Sequence, residues 1–263
     1  MKLRPVRLNA AIAVLFVVGS ACFVLGSVPA FINAVGGVAD AVTYFVGSLF
    51  FTSASFLQLL QAQSPSMTEV DESNQHEPGT VRLWKWLPHD RAWLASITQF
   101  PGTLLFNVST LAALAHNATV QQEDRRVWRP DIYGSTLFLV ASVFGILAVG
   151  HFLSFRPRSL PWRIAWLNMI GSILFMMSAL GSYVIPSSGD LVNTRLAVAG
   201  TLLGAACFLV GAALMLPAWK RQVRRQNDIA GRPAARPIDL DDAHEPRPAG
   251  QPGPYDTDQG RAE

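Results

Sequence analysis

The stretch YGSTLFLVASV, residues 133–143, is one of six versions of a single phrase in this chain. Each version has Gly followed by Ser or Thr, and most have Phe four residues after the Gly, with small residues beyond it. The other versions are VGSACFVLGSV (18–28), VGSLFFTSASF (46–56), PGTLLFNVSTL (101–111), IGSILFMMSAL (170–180) and AGTLLGAACFL (199–209). Every version lies within a long apolar segment, so the phrase predicts six similar elements.

Half of the 263 residues are hydrophobic and only 15% are charged, which is too apolar for a soluble domain of this size. A helix needs roughly 20 apolar residues to cross a bilayer core, and backbone polar groups in lipid must pair within the segment. The predicted fold class is therefore all-α, a polytopic integral membrane bundle of six transmembrane helices. The predicted helices are 8–30, 41–61, 92–115, 131–153, 162–184 and 193–217.

The spacing of the phrase predicts how the helices pair. Its glycines lie at 19, 47, 102, 134, 171 and 200, and the short spacings favour three repeated hairpins, with two halves of three helices as the alternative. The first helix exceeds the 7–15 apolar residues of a signal peptide, so we expect it to be retained. Residues 1–225 form the predicted membrane domain, with a polar loop at 62–91. The tail 226–263 is rich in Pro, Arg and Asp and is predicted to be disordered.

Basic residues predict the orientation, because Lys and Arg accumulate in cytoplasmic loops. Placing both termini, loop 62–91 and the tail in the cytoplasm puts most basic residues inside. Loop 116–130 opposes this threading, since its three arginines would face out. Arg outnumbers Lys, as in GC-rich bacterial genomes, so a bacterial inner membrane is the predicted location.

The spacing within the phrase predicts helix packing. Steps of four and seven residues return to nearly the same helix face, so the Gly, the Phe and a small residue form one stripe. Small residues let helices in lipid approach closely, which favours a packing role over a solute pathway. In the sixth version Gly204 replaces the Phe, and Phe208 follows one turn later. That helix is therefore predicted to sit differently in the bundle.

Four uncharged polar residues lie within the apolar segments: Gln58, Gln99, Asn107 and, nearer a segment end, Asn168. Asn107 is predicted to hydrogen-bond a neighbouring helix, and a role in ligand binding is the alternative. Pro101 removes a backbone hydrogen bond from the same helix. The third helix is thus the predicted place of a kink or a cavity.

Reactive chemistry has little support in the sequence. Asp40, His116 and His151 lie at segment ends, where solvation is easy, and the two histidines are predicted on opposite membrane faces. No nucleotide loop, HExxH, GxSxG or Cys/His cluster occurs, and the two cysteines fit no metal spacing. The prediction is therefore no enzyme, with no catalytic, cofactor-binding or metal-binding residues and no cofactor.

The sequences FVGSLFF (45–51) and MIGSILFMMSA (169–179) resemble the YrhK-like domain, a short bacterial membrane module with a Gly-Ser-x-x-Phe pattern in paired helices. The resemblance is local, and six copies exceed the two helices of one module. It implies membrane residence and helix packing, and it carries no catalytic residues over to this chain.

These observations predict a multi-pass inner-membrane protein with a structural or accessory role. One alternative is a carrier or channel for a small uncharged solute, lined by the Ser/Thr stripe and Asn107. Another is a membrane sensor whose basic segment WKRQVRR (219–225) binds a cytoplasmic partner or anionic lipid. The lipid bilayer is the predicted partner, a homo-oligomer and a membrane partner protein stay open, and no nucleic acid is expected.

Overall fold

The structure is a computed structural model that describes residues 2–3, 5–64, 79–80, 82–115, 119–150 and 156–230. It divides the chain into one unit of Met1–Asn227 and another of Asp228–Glu263, and only the first three residues of the second unit are described. His116, His151, much of the 62–91 segment and residues 231–263 lie outside the described part.

The described chain is almost wholly helical. Its long helices are α1 (Pro5–Gly26), α3 (Gly37–Ala62), α4 (Arg91–Ala112), α6 (Arg129–Val149), α7 (Leu160–Gly181) and α8 (Thr194–Ala230). The shorter elements are α2 (Pro29–Val35), α5 (Val120–Glu123), a π-helix (Asp124–Trp128), and the antiparallel strand pair β1 (Lys2–Leu3) and β2 (Gly79–Thr80). An all-α fold is thus confirmed.

Five helical segments in the described residues are long and apolar enough to cross a membrane. They are Arg7–Gly26, Gly37–Ala62, Val120–Val149, Leu160–Gly181 and Thr194–Pro217. Helix α4 is also 22 residues long but is not among the five. Its Gln99 and Asn107 lower its hydropathy, and it contains Pro101. A membrane-type helical protein is therefore confirmed by five candidate spans.

One helix begins earlier than the sequence predicts, because Thr119 and Gln122 form an N-terminal cap. Thr119 accepts a hydrogen bond from the N–H of Gln122, whose side chain accepts one from the Thr119 N–H. This capping box begins a helix at Val120. Residues 116–130 were predicted to be a loop, but the described part from Val120 onward is helical and continues into α6.

Helix α8 extends well beyond its predicted end at residue 217. It passes through Pro217 and continues to Ala230, so residues 226–230, predicted to be disordered, are helical. The extension is rich in Arg, Lys and Gln, which are strong helix formers. Pro217 lies inside the helix at the end of the last candidate span.

Long helices that follow one another in the chain are neighbours in the bundle. Contacts join α1 to α3, α3 to α4, α4 to α6, and α6 to α7. Helix α7 meets α8 through Ser178, whose hydroxyl donates to the Ala197 carbonyl at 2.6 Å. Side chains from α1, α3, α4, α6, α7 and α8 share one buried cluster. The helices thus surround a common centre.

Candidate functional site

Glycines of the repeated phrase lie at contacts between helix backbones. A Cβ atom placed on Gly19 would lie 2.9 Å from the Gly47 carbonyl oxygen, and one on Gly47 would lie 3.1 Å from the Gly19 oxygen. A Cβ atom on Gly134 would lie 3.1 Å from the Gly102 oxygen. Side chains at these positions would separate α1 from α3 and α4 from α6.

Helices α7 and α8 meet in a related way, through the glycine that replaces the Phe in the sixth version of the phrase. Cβ atoms on Gly171 and Gly204 would lie 3.1 and 3.0 Å from each other's carbonyl oxygens. The sequence aligned Gly200 as the phrase glycine of this helix. In the structure Gly204 holds that contact, and Phe208 follows it by four residues. The sixth helix thus differs from the others, as predicted: its contacting glycine and its phenylalanine each lie one turn later than the alignment of the phrase placed them.

The phenylalanines four residues after these glycines form one cluster of rings, with one ring from each long helix. They are Phe23, Phe51, Phe106, Phe138, Phe175 and Phe208, none of them more than 8% exposed. The centroids of Phe51, Phe138 and Phe208 lie 5.7, 5.8 and 5.9 Å apart. Phe175 lies 6.1 Å from Phe23 and 5.9 Å from Phe106. These are favourable separations for aromatic pairs.

This ring cluster closes the centre of the bundle. The void between its rings, also lined by Ser48 and Thr103, offers about 10 Å³ to the centre of a water-sized sphere. A single water needs roughly 10–15 Å³ by that measure. The rings therefore leave no more than about the room of one water at the centre of the bundle.

Hydroxyl groups connect neighbouring helices around the rings. Three pairs of described residues join helices: Ser48–Thr110 at 3.0 Å, Ser142–Ser172 at 2.8 Å and Ser178–Thr201 at 2.7 Å. Ser27, directly after α1, pairs with Tyr44 of α3 at 2.8 Å. Asn107 belongs to this set, because its Oδ1 accepts a hydrogen bond from the Thr52 hydroxyl at 3.1 Å. This is the bond to a neighbouring helix that the sequence predicted for Asn107. The kink predicted at Pro101 stays a prediction.

The other three deep polar residues converge on one cavity beside the ring cluster. Gln58 of α3, Gln99 of α4 and Asn168 of α7 line it, and about 60 Å³ is open to the centre of a water-sized sphere. The sequence identified these residues singly but did not bring them together. Gln99 and Asn168 each lie three residues before their phrase glycine, but this shared position does not show which helices meet.

Acidic residues lie elsewhere in the bundle. Asp40, predicted at the mouth of the second helix, lies in the first turn of α3, is 8% exposed, and has an Oδ1 without a partner among the described residues. Asp131 and Glu123 line a cavity of about 250 Å³ beside Trp128. No three His, Cys, Asp or Glu side chains come together within the described ranges. No protein-family model, curated protein or solved structure matches the chain.

Proposed function

We propose that this chain is a six-span protein of a bacterial inner membrane, with a structural or accessory role, no enzymatic activity and both termini in the cytoplasm. The cluster of six phenylalanine rings carries the proposal, since it closes the centre of the bundle. Interhelical hydroxyl pairs add to this packing, at an average of about 0.6 kcal/mol per bond in a measured membrane protein.

Two contacts support α4 as the sixth span. The Arg91 guanidinium donates to the Leu147 carbonyl at 2.9 Å, and the Ser109 hydroxyl donates to the Val127 carbonyl at 2.8 Å. The start of α4 thus lies beside residue 147 and its end beside residue 127, so α4 runs along the candidate span Val120–Val149. Twenty helical residues extend roughly 30 Å, the thickness of a bilayer core. A helix held along that length crosses the same layer.

The glycine pairs support an arrangement of three repeated hairpins. In each proposed hairpin the two helices meet at one glycine pair: Gly19 with Gly47, Gly102 with Gly134, and Gly171 with Gly204. The spacing of four residues from glycine to phenylalanine accompanies every pair. Kinship with the YrhK-like domain is part of this proposal, on the wording of residues 45–51 and 169–179.

The pairing of β1 with β2 supports part of the proposed threading. Lys2 lies opposite Thr80, so the start of α1 and the segment before α4 lie at one end of the bundle. Gln63 closes the same segment by donating to the carbonyls of Arg82 and Leu83 at 3.0 and 2.7 Å. The N-terminus and the 62–91 segment are both regions that the distribution of basic residues predicts to be cytoplasmic.

Cysteine labelling tests the sixth span. In a chain with Cys22→Ala and Cys207→Ala, we expect His89→Cys to react only from the cytoplasmic side and Ser188→Cys only from outside. Both native side chains are exposed. A membrane-impermeant maleimide, applied to intact and to opened cells, measures the difference. Labelling of both positions from the same side would leave five spans and remove α4 from the membrane.

A flux assay tests the closed centre against the carrier alternative. We expect proteoliposomes containing the native chain to take up glycerol and urea no faster than protein-free liposomes, because the rings leave no more than about the room of one water at the centre. Stopped-flow light scattering measures the rates. Saturable uptake that is lost in Asn107→Leu would support the carrier and overturn the closed-centre proposal.

A further inference from the structure

We propose that the cavity lined by Gln58, Gln99 and Asn168, here called the amide cavity, binds one small neutral molecule with both hydrogen-bond donors and acceptors. Polyols and amides of about the size of glycerol or urea belong to this class. The inference goes beyond the structural role, because a closed bundle can hold a ligand without transporting it.

The ring cluster forms one wall of the amide cavity. Phe51 and Phe208 of the ring cluster contribute to its lining, and Phe16, Ala212 and Met215 line it as well. Its three amides come from three different helices. Gln99 and Asn168 lie in the first halves of α4 and α7. The cavity therefore lies between the ring cluster and the end of the bundle where α1, α4 and α7 begin.

Its size limits the ligand. About 60 Å³ is open to the centre of a water-sized sphere, several times the roughly 10–15 Å³ that a cavity needs by that measure to hold one water. The space therefore exceeds that of one water and suits a molecule of a few non-hydrogen atoms. Larger solutes would have to displace the aromatic walls.

The chemistry of the lining selects for neutral, mixed donor and acceptor groups. Each primary amide offers a carbonyl acceptor and two N–H donors. The side chains of Gln58, Gln99 and Asn168 make no hydrogen bond to another described residue, so their polar groups are open to a ligand. Among the residues that the structure describes, no charged side chain lines the cavity, so a charged solute would enter it without a counter-charge from them.

A further unpaired amide lies on α1, nearer the end of the bundle than the cavity. Asn9 precedes Phe16 by seven residues on the buried face of α1, roughly 10 Å nearer the end of the bundle. It is 6% exposed, and its Nδ2 has no partner in the part of the chain that the structure describes. A buried amide N–H without a partner is costly, and a water or small ligand bound beside it would satisfy it.

Saturation-transfer NMR on the full chain in lipid nanodiscs tests this proposal, with glycerol, urea and acetamide as probes. We expect transfer to at least one probe, with weak affinity because the ligand is small. Gln99→Leu and Asn168→Leu should each weaken binding roughly five- to tenfold, the effect of one lost hydrogen bond. Ala212→Leu should abolish binding by filling the cavity, since Ala212 is 4% exposed and lines it.

Asn107→Leu is the matched control, because it removes a deep amide that is already bonded to Thr52. Binding should be unchanged in this variant. Circular dichroism on every variant separates lost binding from lost folding, and Gln58→Leu provides a further cavity variant should another fail to fold. The absence of transfer to all three probes, or equal transfer in the control and in every folded cavity variant, would overturn the proposal and leave the cavity to water.

Discussion

Replacing Gly200 by Val should destabilise the bundle by about 3 kcal/mol or prevent it from folding, since overpacking costs typically 1–3 kcal/mol and occasionally more. A Cβ atom at this position would lie 2.7 Å from the Leu174 carbonyl oxygen and 2.9 Å from the Ser178 backbone nitrogen. Both atoms belong to the backbone of α7, which cannot turn aside as a flexible side chain can. The two helices would have to separate. Thermal unfolding of the purified chain in detergent, followed by circular dichroism, measures the loss.

The matched control is Gly145→Val in α6, where a Cβ atom would meet nothing within 4 Å. We expect its stability to stay within about 1 kcal/mol of the native chain, the scale of helix-propensity differences. Gly200→Ala should fall between Gly200→Val and the native chain. Equal melting of Gly200→Val and Gly145→Val would mean that α7 and α8 are not held at this contact.

The long helices could be predicted from the sequence because a bilayer restricts the structure that an apolar segment can form. Apolar segments of about 20 residues must be helical in lipid, and this rule identified the six long helices found in the described part of the chain. The limits of the helices depended on shorter signals. Thr119 and Gln122 have the spacing of a capping box, so the start of α5 at Val120 could have been predicted from the sequence. Hydropathy alone does not record such a cap.

The register of α8 was harder to predict because two readings of its sequence compete. Gly200 is followed by Thr, as the phrase requires, whereas Gly204 is followed by Ala but has Phe208 four residues later. The structure places Gly204 against Gly171, with Phe208 in the ring cluster. The Gly-to-Phe spacing therefore matters more to this contact than the hydroxyl does. A bulky ring must reach the centre, whereas hydroxyls are replaceable.

The amide cavity could not be predicted from a single sequence. Gln58, Gln99 and Asn168 belong to three helices, and their meeting depends on helix order and rotation. Periodicity gives the buried face of one helix at a time. The bond of Asn107 was predictable because it needs only one adjacent helix with a hydroxyl, which Thr52 provides.

Replacing Phe138 by Ala should lower stability by about 2–4 kcal/mol, toward the low side of the range for buried aromatics. Phe138 is 2% exposed, and its ring lies 5.2 Å from Phe106, 5.8 Å from Phe208 and 5.9 Å from Phe51. Unfolding within a membrane keeps the residue in an apolar phase, so the loss comes from packing rather than from transfer to water. Thermal unfolding in detergent measures it.

The vacated site gives Phe138→Ala a second readout. An apolar cavity of this kind stays dry and binds benzene, so added benzene should restore part of the lost stability. Phe56→Ala is the control: Phe56 is 41% exposed and pairs with Phe100 at 5.6 Å, outside the ring cluster. It should melt close to the native chain and gain nothing from benzene beyond what the native chain gains. If the two variants melt alike and respond alike to benzene, the six rings do not hold the bundle together, and the closed centre loses its physical basis.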